Sequence, residues 1–152
     1  MSRAKKIALT VAVTSIVIGL LLTFNLSTYE ATAKKSRIKA SAKLEVYSDQ
    51  ACTQSLTSID WGTVSLGDSV TKIFYIKNQG RHPLTLSLTT TNWNPNIAHG
   101  LLVVNWNRED TILAAGRTAS ATLTLSASPS ASNFTTFGVN VVIFGERYRN
   151  YS

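Results

Sequence analysis

Cysteine occurs once in this chain of 152 residues, at Cys52, and histidine only twice, at His82 and His99. A single thiol excludes any disulfide within the chain, including the inter-sheet bridge of antibody-type domains. Cys52 is left either as a small apolar side chain or as half of an intermolecular bond in an oxidising exterior. The histidines and the cysteine show no Cys-x-x-Cys or His-x-x-x-His spacing, so neither a metal site nor any other cofactor is expected. There is no Walker loop and no Gly-x-Ser-x-Gly. No nucleophile, base and orienting group can be put together, so the chain is not expected to be an enzyme. Asp60, Asp68, Glu109 and Asp110 fall in turn-like surroundings, where carboxylates bond their own backbone more readily than they gather calcium.

Acidic residues are scarce at the N-terminus. Residues 1–43 carry eight Lys and Arg against Glu30 alone, and so hold the entire formal net charge of +7. The remaining seven basic residues are matched by seven acidic ones. Binding to nucleic acid needs basic residues clustered on a folded face, so a nucleic-acid partner is not expected despite a pI near 9.8.

What the N-terminus does contain is Ile7 to Phe24, an uncharged run of about 18 residues behind Arg3, Lys5 and Lys6. Residues 1–33 therefore read as a signal or membrane-anchor segment, with lipid as the partner of Ile7 to Phe24. Ala31-Thr32-Ala33 has the small-x-small form of a processing site, while the run is long enough to be retained, and both outcomes stay open. Basic residues flank both ends of the run, which blunts the charge rule for orientation. The C-terminal part is placed outside because exported chains begin with a short basic stretch before their first apolar segment. The localisation expected is thus the cell membrane or the extracellular surface. Sequons at Asn25, Asn133 and Asn150 make the last two candidate glycosylation sites of an exterior protein.

Residues 34–43 (KKSRIKASAK) form a basic linker or an extended arm. Ile38, Ala40 and Ala42 alternate with polar residues, as a strand requires. In a monomer this is the lead-in to the first strand. In a polymer it is a donor arm completing a neighbour's sheet by strand addition.

From residue 44 to 152 no helical period competes with strand patterning. Val70 to Ile76 is β-branched and aromatic, and Leu84 to Thr89 alternates leucine with hydroxyl residues. Between them Asn78-Gln79-Gly80-Arg81-His82-Pro83 supplies turn chemistry. Leu44 to Tyr47, Cys52 to Leu56, Leu101 to Trp106, Ala119 to Leu125 and Phe137 to Ile143 read as further strands, the last with its odd positions inward. About seven strands over roughly 110 residues is the profile of an antiparallel sandwich.

The run Ile59 to Leu88, with its Trp61-Gly62 and Leu66-Gly67 punctuation, Asn78-Gln79-Gly80 turn and Pro83-led strand, resembles immunoglobulin-like modules of the ASH and major-sperm-protein type. With an export leader in front, the chain also resembles the β-sandwich filament subunits of the TasA and camelysin kind and related archaeal surface proteins. The resemblance implies an all-β, immunoglobulin-like sandwich preceded by one hydrophobic helix. It further implies an exported or membrane-anchored structural or adhesive protein whose partners are other copies of itself.

Trp106, at the end of an apolar strand, is expected in the core, and Trp61, after Ile59-Asp60, at a sheet edge. Trp93, beside Asn94 in a polar loop expected over Thr91 to Asn96, either caps one end of the sandwich or projects as a partner-binding residue. That second option defines the alternative reading, a membrane-tethered module that recognises a glycan or a surface protein through its end loops.

Overall fold

A computed structural model describes residues 30–41, 43–131 and 135–149. The expected hydrophobic helix over Ile7 to Phe24 lies outside the described residues, and among those described no helix is long and apolar enough to cross a membrane. The described chain is an all-β, two-sheet sandwich. Its strands are β1 (Glu30–Ala33), β2 (Ser36–Ala40), β3 (Leu44–Tyr47), β4 (Ser58–Ile59), β5 (Thr63–Ser65), β6 (Ser69–Asn78) and β7 (Leu84–Asn94). After a single turn of helix, α1 (Ala98–Leu101), come β8 (Leu102–Trp106), β9 (Ile112–Leu113), β10 (Thr118–Ala127) and β11 (Thr136–Arg147).

The smaller sheet has the order β3-β6-β10-β8, all antiparallel. The larger holds seven strands that make five ribbons, because two ribbons are each interrupted once. β5 and β4 form the outermost ribbon, β1 and β2 the next, followed by β11, β7 and β9. Six of the seven strands expected from alternation are present, and the other five of the eleven, β1, β2, β4, β5 and β9, are short pieces of two to five residues.

The long strands are where alternation places them. In β10, Ala121, Leu123 and Leu125 are buried while Ser120 is exposed and Thr122 and Thr124 half-buried. In β11, Phe137, Val139, Val141 and Ile143 point inward against Phe74, Ile76 and Leu86, so the apolar rows of the two sheets share one core. Burying such side chains contributes about 1.5–3 kcal/mol each, which lets a domain of this size fold without a disulfide.

Three local expectations differ from the structure. Cys52 to Leu56 returns alongside β3 only through a single bridge of Ser55 to Tyr47, and most of it is a turn in which the Asp49 carboxylate accepts the backbone N–H groups of Thr53 and Gln54 at 3.1 and 2.7 Å. These bonds, that of Gln54 first, hold the Asp49 carboxyl below its ordinary value. Thr91 to Asn94 continues β7 instead of looping away, since β11 extends far enough to pair Asn140 with Thr91 and Gly138 with Asn94. Two strands, β1 and β2, precede Leu44, where the sandwich was expected to open.

Candidate functional site

The N-terminal strands are the feature on which a function can be built. Ala33 is paired with Phe137 and Ile38 with Val141, both in parallel register with β11. Five residue steps on one side therefore face four on the other, and the extra residue is taken up at Lys34 and Lys35. Lys34 N–H bonds Phe137 O at 2.7 Å. Such a bulge changes which parity faces the core. Ala31 is buried before it, and Ser36 and Ile38 after it. Residues 30–40 thus behave as one bulged strand.

This strand is interior to its sheet. On its far side Glu30, Ala31 and Thr32 pair with Ser65, Val64 and Thr63, and Ser36 and Arg37 pair with Ile59 and Ser58. Trp61, itself buried, donates its indole N–H to the Ser36 hydroxyl at 3.1 Å, so the buried serine is satisfied. Ile38 and Ala40, two of the expected arm residues, therefore lie in the sheet of their own chain, in the lead-in arrangement. Ala42, the third, lies outside the described residues. Ala31-Thr32-Ala33 belongs to β1, and cleavage after Ala33 would remove that strand from between β5 and β11.

A groove lies where β4 stops short and leaves part of β2 without a neighbour. Lys35, Arg37, Ile38, Lys39, Thr57 and Ser58 line a volume of about 440 Å³. A second hollow of about 240 Å³ shares Ile38 and Thr57 with it and runs toward Leu44, Glu45 and Val46 at the seam between the sheets. Three cations and two hydroxyl residues around an isoleucine suit an anionic partner. Among the described residues, none of Lys35, Arg37 and Lys39 is paired with an acid. The groove was not anticipated from sequence, although cations at 35, 37 and 39 are its signal: two of them fall on the outer face of a strand and the third in its bulge.

Trp93 is buried, with 9% of its surface exposed. Its indole N–H donates to Thr90 Oγ1 at 3.2 Å, and the His99 ring meets it edge-on with centroids 6.0 Å apart. Asn94 beside it is exposed. Trp61 is in the core and Trp106 half-buried at its margin. Asn133 and Asn150 lie outside the described residues. Among the described residues no three His, Cys, Asp or Glu side chains gather as metal ligands. Cys52 is half-buried, with its Sγ 3.5 Å from Thr118 Oγ1.

No protein-family model matches this chain, and no curated protein matches it either. The geometry of the N-terminal strand and of the basic groove thus carries the functional argument.

Proposed function

We propose that this chain is an exported or membrane-anchored structural subunit of a cell surface, an immunoglobulin-like sandwich whose copies assemble by exchanging the strand of residues 30–40. The observation that carries the reading is the insertion of that strand between β11 and the β4/β5 ribbon. The contacts it makes are available to the same strand of a neighbouring copy, since exchange of an identical element preserves every bond. The connection to β3 runs through residues 41–43, where Lys43 holds φ at +77°. A non-glycine residue there is strained, and an opened connection releases the strain. The apolar run at Ile7 to Phe24 and the resemblance over Ile59 to Leu88 support the exterior address and the structural role. A glycan- or protein-binding module centred on Trp93 has less behind it, because that ring is buried against Thr90 and His99.

Thr32 and Thr136 are exposed register partners on β1 and β11, close enough in a ladder to be bridged after replacement by cysteine. The full chain carrying T32C and T136C with C52S is expected to form, on mild oxidation, a covalent ladder of dimers, trimers and higher species. Oxidation that gives only internally bridged single chains overturns strand exchange.

A further inference from the structure

Opposite edges of the larger sheet carry charge clusters of opposite sign, with Asp60 beside the basic cluster and Arg108 and Arg117 flanking the acidic one. One edge is the basic groove of Lys35, Arg37 and Lys39 beside β4. At the other, the turn before β9 presents Glu109 and Asp110, both exposed. That turn is fixed to β7: Asp110 N–H bonds Leu86 O, and Leu86 N–H bonds Thr111 O, each at 2.9 Å. The Glu109 carboxylate accepts the Trp106 indole N–H and, at 3.2 Å, the Leu88 N–H. Asp110, at φ +55°, makes no side-chain hydrogen bond among the described residues. The Glu109 carboxylate is held in place before any partner arrives, and Ile112 beside it is 48% exposed.

We infer that copies of this chain dock side by side, the Glu109–Asp110 turn of one copy entering the Lys35, Arg37 and Lys39 groove of the next. Charged edges usually protect a sheet from pairing with its neighbours. Protection of that kind works when copies repel, whereas one edge of each sign makes them attract. β4 and β9 have two residues each, too short for an extended backbone ladder. The contact is therefore made by side chains, acids against cations. A patch meeting a different patch is a heterologous contact, and on opposite edges of one sheet it propagates into an open array. The inference rests on the reading of the chain as an assembling subunit, but it uses different residues from strand exchange. The groove forms whether β2 comes from its own chain or from a neighbour.

Sedimentation of the full chain in detergent tests this. At low salt the mass of the wild-type protein is expected to rise with concentration and to fall back at about 0.5 M salt, where charges are screened within a few ångströms. K35E/R37E/K39E makes both edges acidic, and E109K/D110N makes both basic. Each variant alone is expected to lose the salt-sensitive part of this association, and an equal mixture of the two to regain it. Either variant keeping the salt-sensitive association of the wild type, a mixture that does not regain it, or a wild type that shows none overturns the contact. Should a reversal variant fail to fold, E109Q/D110N removes the charge while keeping the shape and the left-handed residue. It is expected to weaken association roughly ten-fold, as expected for loss of a paired charge cluster, and unchanged association overturns the proposal. A cysteine ladder that persists in the reversal variants while their salt-sensitive association is lost, and is not regained on mixing, shows exchange without edge docking. Intact charge complementation with only internally bridged chains shows the reverse.

Discussion

Asn78 is fully buried at the end of β6 and uses both ends of its amide. Its Nδ2 donates to the carbonyls of His82 and Leu113 at 2.8 and 3.0 Å, and its Oδ1 accepts the Gly80 N–H at 2.9 Å. One side chain therefore closes the β6–β7 turn and ties it to β9 in the opposite sheet. Truncation to alanine removes all three bonds, one buried and two part-buried, each worth about 1 kcal/mol. N78A is expected to lower unfolding stability by about 3 kcal/mol in denaturant titration of the full chain. A loss under about 0.5 kcal/mol, typical of an inconsequential surface change, would contradict this account of the residue. The sequence marked the position as turn chemistry, with Gly80 and Pro83 nearby, but not as a junction between sheets. Amide partners that lie far along the chain, such as Leu113, leave no local pattern.

Among the elements, the long strands were the legible ones. β6, β7, β10 and β11 each run at least ten residues with a period of two, and one face of each must be apolar for the sheets to pack. β1 and β2 were harder to read. The EATA and SRIKA segments bury mainly small side chains, and a bulge switches their parity between Ala33 and Ser36. Their pairing with β11 joins the two ends of the described chain, which no neighbouring residue can signal. The basic groove was hidden for the same reason: its cations are local, but the short β4 that leaves them accessible is a matter of tertiary pairing. At the link from β2 to β3, Lys43 sits in the left-handed region that favours glycine. K43G is expected to raise the stability of the closed, single-chain form by about 0.5–1 kcal/mol and to lower the share of exchanged species. Denaturant titration and size-exclusion profiles read the two effects. A variant less stable than the wild type would show that the connection is not strained.

Under the two proposals made above, copies of the whole molecule would meet through an interior strand supplied from one end of the described chain and through charge clusters of opposite sign at the two edges of the larger sheet. Cryo-electron microscopy of assemblies formed by the full chain tests the central claim most directly, by tracing residues 41–43 between β2 and β3. Strand exchange predicts that this connection crosses from one sandwich to the next, leaving each slot between β11 and the β4/β5 ribbon filled by a neighbour. A connection that returns to its own sandwich in every copy would contradict it.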